Sequence, residues 1–122
     1  MVITGGYDPE TGTQARVTQF WQDGSNKNLP ELNFARFYHG CSSYVDSDNN
    51  IVSRVLKVYK IVIKLYQVLL VTAGYNDGYV RSTELLVTGT SSWTLAADYP
   101  LPVTGLSGAS INNTVLMTGG ET

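Results

Sequence analysis

Short apolar runs that end in a small residue and a glycine recur three times along this chain. They occupy residues 2–6 (VITGG), 69–74 (LLVTAG) and 115–120 (VLMTGG). Each run is too short for an ordinary helix and is rich in residues that favour strands, so each predicts a β-strand followed by a tight turn. Recurrence of such a unit at roughly 50-residue intervals predicts an all-β protein built from repeated sheets.

The middle repeat is the most complete. Its apolar and polar pattern predicts four strands, at residues 40–45, 68–73, 82–87 and 93–96. The turn between the second and third strands contains Asn76, Asp77 and Gly78, which tolerate the positive φ that tight hairpins need. A Ser-, Thr- and Gly-rich stretch separates the third strand from the fourth. We therefore predict an antiparallel sheet of four strands here.

The flanking segments repeat parts of this unit. Residues 16–20 (RVTQF) match residues 81–85 (RSTEL) in sequence, and each segment follows one of the repeated glycines. The interval from Gly6 to Gly74 is 68 residues, whereas the interval from Gly74 to Gly120 is 46. One copy therefore carries an insertion of about 20 residues.

Together these features resemble the kelch repeat of β-propellers. In that family a strand ending in Gly-Gly is followed by a spaced strand, a Trp, and a Pro-containing loop that carries Arg and often His. The loop here runs from Leu29-Pro30 through Arg36 to His39-Gly40. The resemblance assigns structural roles to six residues: Gly5, Gly6, Gly74, Trp93, Gly119 and Gly120.

The resemblance implies a partial kelch-type β-propeller with antiparallel four-stranded blades, not closed into a ring. Residues 1–38 would form a partial blade, residues 39–98 a complete blade with residues 51–66 inserted, and residues 99–122 the start of a third. Propellers close with about four to eight blades. We therefore expect this chain to be a fragment of a larger protein, completed by further kelch blades or by self-association.

The inserted segment, residues 51–66, differs sharply in composition from its surroundings. It contains no Gly, Pro or acidic residue and has a charge of +4, against −6 for the rest of the chain. Three interpretations stay open: a basic amphipathic helix, an extended hairpin arm, and an unselected insertion such as translated non-coding sequence. Its four spread charges exclude an ordinary transmembrane span.

Charge and cysteine content narrow the class of protein. A net charge of −2 argues against general nucleic-acid binding, which needs a positive field. The single cysteine, Cys41, cannot form an internal disulfide, and no signal-peptide pattern precedes the first repeat. These features favour the cytoplasm. We also expect that the true N-terminus is missing, and in that case these features do not determine the cellular compartment.

Catalytic patterns are sparse. His39 is the single histidine, which excludes a zinc site built from several imidazoles, and the acidic stretch around Asp46 fits no calcium loop. We expect no enzyme activity, metal or cofactor. The alternatives are a piece of a propeller enzyme, such as a galactose-oxidase-like oxidase or a sialic-acid epimerase, and a non-functional gene fragment.

Partner binding is the function that the resemblance implies, as a scaffold or substrate-recognition module with a protein partner. Arg36 lies in a loop that would line the propeller channel, where an arginine binds acidic peptides by bidentate hydrogen bonds. The alternative is a structural arginine that binds nearby backbone carbonyls. Tyr7, Tyr75 and Tyr79 follow the glycines on loops and are candidates for partner contact, or for packing over the adjacent blade.

Overall fold

A computed structural model describes residues 1–47, 65–111 and 113–122 of the chain. Within these ranges the protein is all-β and contains no helix, which confirms the all-β part of the predicted fold class. The eleven strands are β1 (Val2–Thr4), β2 (Tyr7–Asp8), β3 (Gly12–Thr13), β4 (Val17–Phe20), β5 (Asn26–Leu29), β6 (Gly40–Ser47), β7 (Leu65–Thr72), β8 (Thr83–Val87), β9 (Thr94–Ala96), β10 (Thr104–Ile111) and β11 (Thr114–Glu121). No helix in this part of the chain is long and apolar enough to cross a membrane.

The strands form antiparallel sheets in chain order, and none of them closes on itself. The first sheet has the order β1-β4-β5, with the small β2-β3 hairpin inserted after β1. The second sheet has the order β6-β7-β8-β9, and β10 pairs with β11. Strands β1, β7 and β11 each end at or near one of the glycine-containing pairs that the sequence repeats.

The second sheet contains the four antiparallel strands predicted for the middle repeat. Its register begins with Gly40 opposite Thr72 and continues to Asp46 opposite Tyr66. Strand β7 therefore begins three residues earlier than predicted, so Leu65 and Tyr66, the last two residues of the predicted insertion, are part of this sheet. Residues 51–64 lie outside the described residues, so the three interpretations of that segment stay predictions.

The largest apolar core joins the first sheet to the second. Trp93 is almost fully buried in it, and its indole N–H donates to the Pro30 carbonyl at 2.7 Å. The other buried members are Val17, Leu32, Leu69, Val71 and Leu86. A smaller cluster of Ala73, Val103 and Leu106 connects the second sheet to β10. Burial of apolar surface between successive sheets is thus what holds them together.

The residue pairs after β1 and β7 and the glycine pair near the end of β11 share one backbone conformation. Successive φ values are 57° and 116° at Gly5–Gly6, 59° and 109° at Ala73–Gly74, and 80° and 102° at Gly119–Gly120. At Gly5 a side chain would also collide with the Arg36 carbonyl oxygen, so that position needs glycine for space as well as for conformation.

Candidate partner-binding surface

Five aromatic side chains from two loops and the β2-β3 hairpin form one group, four of them exposed and Phe37 half-buried, which we call the aromatic patch. Its members are Tyr7, Phe37, Tyr38, Tyr75 and Tyr79. The structure thus brings together the three tyrosines that the sequence marked as candidates for partner contact. It adds Phe37 and Tyr38, which the sequence did not mark.

Backbone hydrogen bonds fix two of these loops to each other. Phe37 and Tyr75 exchange N–H to carbonyl bonds of 3.1 and 2.9 Å, which forms an isolated antiparallel bridge. Tyr75 forms a second bridge with Tyr79 across the turn that precedes β8. The turn is closed by a bond of 2.9 Å from the Val80 N–H to the Gly74 carbonyl. Paired backbone, rather than side-chain packing alone, therefore sets the positions of these rings.

Phe37 lies at the centre of the aromatic patch. Its ring centroid is 5.5 Å from that of Tyr7, 4.9 Å from that of Tyr38 and 5.6 Å from that of Tyr75. Tyr75 in turn meets Tyr79 at 5.9 Å, with the two rings almost perpendicular. These are favourable edge-to-face separations, so the rings stabilise one another while their outer surfaces stay accessible.

The aromatic patch is open to solvent and lines a shallow, open pocket. Tyr7 is 61% exposed and Tyr38 69% exposed, which are high values for large aromatic side chains. The pocket has a volume of about 290 Å³, and its lining consists of Phe37, Tyr38, Tyr75, Tyr79 and Thr104. Exposed aromatic groups of this kind are enriched where proteins bind partners.

Tyr38 has a strained backbone conformation. Its φ is 52°, in the left-handed region that residues other than Gly, Asn and Asp seldom adopt. The corresponding residue in the later repeat is Gly105, the second residue of β10, with φ of 73°. Local strain of this type persists where surrounding structure enforces it and is concentrated at functional sites. Because glycine would avoid this strain, as Gly105 does in the later repeat, the presence of tyrosine at position 38 indicates a functional role for its side chain.

Arg36 lies directly before Phe37 in sequence but is fully buried. Its guanidinium group donates to the carbonyl oxygens of Phe34, Ala73 and Ser82, to the Ser82 hydroxyl, and to the Glu84 carboxylate. All five N–H donors of the side chain are thus used inside the protein. This placement agrees with the structural alternative for Arg36, and the side chain is not presented to a partner.

Glu84 completes this buried ion pair from strand β8. Its carboxylate lies 2.6 Å from Arg36 Nη2 and also accepts backbone N–H bonds from Asn33 and Phe34. Burial lowers the pKa of Arg36, and the Glu84 charge opposes that shift, so the arginine stays protonated at neutral pH. The pair fixes the loop that carries Phe37 and Tyr38 to the second sheet.

His39 follows the aromatic residues and contacts the first sheet. Its Nε2 lies 2.7 Å from the Thr4 hydroxyl, while its buried Nδ1 has no hydrogen-bond partner among the described residues. Burial, together with the Arg36 charge, lowers the pKa of His39 from 6.5 to about 4. The ring is therefore neutral at physiological pH and serves as a link between the first sheet and the loop.

The remaining candidate residues have structural positions. Trp93 lies in the core between the first and second sheets. Gly5, Gly6 and Gly74 lie directly after β1 and β7, and Gly119 and Gly120 lie near the end of β11. In the described ranges no group of three or more His, Cys, Asp or Glu side chains is arranged to hold a metal ion.

Neither protein-family models nor curated proteins match this sequence. The kelch resemblance therefore stays a prediction from the sequence. The geometry of the loops is the observation from which a function can be proposed.

Proposed function

We propose that this chain is a protein-interaction module, part of a kelch-type propeller, and that it binds its partner through the aromatic patch. The observation that carries this proposal is the exposure of four tyrosine rings around the half-buried Phe37, three of which line one pocket with it. Soluble proteins seldom leave such a group in water unless it is used for binding.

The construction of the loops supports the same conclusion. The buried pair of Arg36 and Glu84 and the bridge between Phe37 and Tyr75 hold the rings in place before any partner arrives. Preorganised groups lose less conformational entropy on binding, which increases affinity. Loops on a rigid β-scaffold are a common location for binding residues.

A capture experiment with three forms of the chain tests this proposal. Wild-type chain, a Tyr38→Ser/Tyr79→Ser variant and a Trp21→Ser variant are immobilised and exposed to lysate of the source organism. Trp21 is the matched control because it is 46% exposed, close to the 47% of Tyr79. It also lies at the end of the first sheet that is away from Tyr7 and the aromatic patch. Captured proteins are quantified by mass spectrometry.

We expect at least one protein to be captured by wild type and by Trp21→Ser but to fall roughly tenfold with the double variant, as for loss of an aromatic hot spot. Circular dichroism of each form checks that the sheets are retained. Equal capture by all three forms, or capture of nothing beyond bare resin, would contradict the proposal.

A further inference from the structure

We propose that the aromatic patch selects a positively charged segment of its partner, one that presents arginine or lysine side chains. This inference rests on the proposed function and specifies the chemistry of the partner. It reverses the charge preference that the sequence suggested, because Arg36 was the residue expected to attract acidic peptides.

The pocket offers ring surfaces and no basic side chain. Four of its five lining residues are aromatic, and the fifth is Thr104. Adjacent rings are turned by 65° between Phe37 and Tyr38 and by 84° between Tyr75 and Tyr79, so they form walls rather than one flat surface. Aromatic faces carry negative electrostatic potential and attract guanidinium and ammonium groups within about 6 Å.

The exposed charges on the same loops are mostly acidic. Asp77 lies in the turn between Tyr75 and Tyr79, and Asp8 and Glu10 lie on the hairpin that begins with Tyr7. All three are exposed. Carboxylates beside aromatic rings raise the local concentration of cationic ligands and repel anionic ones.

The exposed Arg16 lies beside Asp8 in a separate pocket, so its charge offsets that of the Asp8 carboxylate and leaves Glu10 and Asp77 as the acidic side chains of these loops. Two further basic groups, Arg36 and Arg81, are already engaged. Arg36 is buried and paired with Glu84, and the exposed Arg81 donates to the carbonyl oxygens of Tyr99 and Pro100. The full chain has ten acidic and eight basic side chains, a net charge of −2. Charge complementarity therefore favours a cationic occupant for the pocket.

Binding of matched peptides tests this selection. Rhodamine-labelled peptides of the form Gly-Ser-X-Ser-X-Ser-Gly, with X as arginine, lysine, glutamate or proline, are titrated with the full chain and followed by fluorescence anisotropy. We expect the arginine or lysine peptide to bind at least about tenfold more tightly than the glutamate and proline peptides.

Three variants locate the binding. Tyr38→Ser/Tyr79→Ser should weaken the preferred peptide roughly tenfold, and Asp77→Asn roughly threefold, whereas Trp21→Ser should leave its affinity unchanged. If the double variant binds as tightly as wild type, the site of cation binding is elsewhere and the inference is wrong.

The outcomes separate this inference from the proposed function. Equal or tighter binding of the glutamate or proline peptide, lost in Tyr38→Ser/Tyr79→Ser, overturns the preference for cations but leaves the aromatic patch as a partner site. No binding of either cationic peptide up to about 1 mM also overturns the preference. In that case capture from lysate still decides the proposed function independently.

Discussion

The loops that enter β6 and β10 follow the same backbone course but are held in place by different chemistry. Gly6 donates its N–H to the Arg36 carbonyl in the first loop, and Gly74 donates to the Val103 carbonyl in the second. Two residues later, Tyr38 and Gly105 both have positive φ. The first loop is anchored by a buried ion pair, whereas Val103 and Leu106 anchor the second through apolar contacts.

This difference shows what the polar anchor adds. An apolar residue is sufficient to hold the backbone, as Val103 demonstrates in the second loop. The pair of Arg36 and Glu84 also connects the loop to Ala73 and Ser82, close to the turn that carries Tyr75 and Tyr79. The ion pair therefore ties together two loops of the aromatic patch, which a valine cannot do.

Removal of the buried arginine should have the largest effect on stability. In Arg36→Ala the Glu84 carboxylate stays buried without its counter-charge, so we expect the free energy of unfolding to fall by about 3–5 kcal/mol. Urea denaturation measures this change. Arg81→Ala is the matched control, because Arg81 also donates to two carbonyls but is exposed, and it should cost less than about 1 kcal/mol.

A double-mutant cycle sharpens this prediction. Arg36→Val with Glu84→Gln removes both charges while keeping an acceptor for the Asn33 N–H, so the pair should cost at least about 1 kcal/mol less than the sum of the two single variants. Strictly additive effects would show that the ion pair does not anchor the loop.

The turn after β1 should be the next most sensitive position. Gly5→Ala places a methyl group against the Arg36 carbonyl and within 2.9 Å of the His39 ring, so we expect a loss of about 2 kcal/mol or more. Gly12→Ala provides the control, since Gly12 also has positive φ but its Cβ would meet no atom within 4 Å. If both variants lose about the same stability, conformation alone, rather than crowding, explains the glycine.

Acid should destabilise the first loop through His39. Its folded pKa of about 4 lies below the ordinary value of 6.5, so between these pH values the unfolded chain binds a proton that the folded chain does not. Stability contributed by the neutral ring is full above about pH 7 and falls, by on the order of 2 kcal/mol, as the pH drops from 6.5 toward 4.

Replacing His39 with leucine, the residue at the corresponding position 106, tests this pH dependence. His39→Leu, which copies Leu106, should flatten the stability profile between pH 6.5 and 4 as measured by urea denaturation at several pH values. An unchanged slope in the variant would assign the acid sensitivity to other groups.

The smallest expected change in stability concerns the strained tyrosine. Tyr38→Gly gives the loop the residue found at position 105, relieving the left-handed strain while losing the ring contact with Phe37. These effects offset each other to within about 1 kcal/mol. Affinity for the partner should nevertheless fall, and a large loss of stability would show that Tyr38 is retained for the fold instead.

Local pattern was enough to predict the strands. Three kinds of feature act through residues that are adjacent in sequence, so the sequence shows them directly. They are the apolar and polar pattern of the middle repeat, turn residues such as Asn76 and Gly78, and the repeated glycines. For that reason the four strands of the second sheet were predicted, although β6 ends two residues later and β7 begins three residues earlier than expected. Tyr7, Tyr75 and Tyr79 were marked for the same reason, because each follows a glycine turn.

Contacts between distant residues decided the rest. Glu84 lies 48 positions after Arg36, and only the packing of the loop against β8 converts an apparent surface arginine into a buried ion pair. A charged residue at an inward position of β8 was the one signal that could have indicated this pairing. Phe37 and Tyr38 join the aromatic patch because a bridge to Tyr75 places two loops side by side. The positions of strands and turns could be predicted from the sequence, because they depend on local conformation. Burial, charge pairing and the shared aromatic surface depend on which distant segments meet, so they became visible in the tertiary structure.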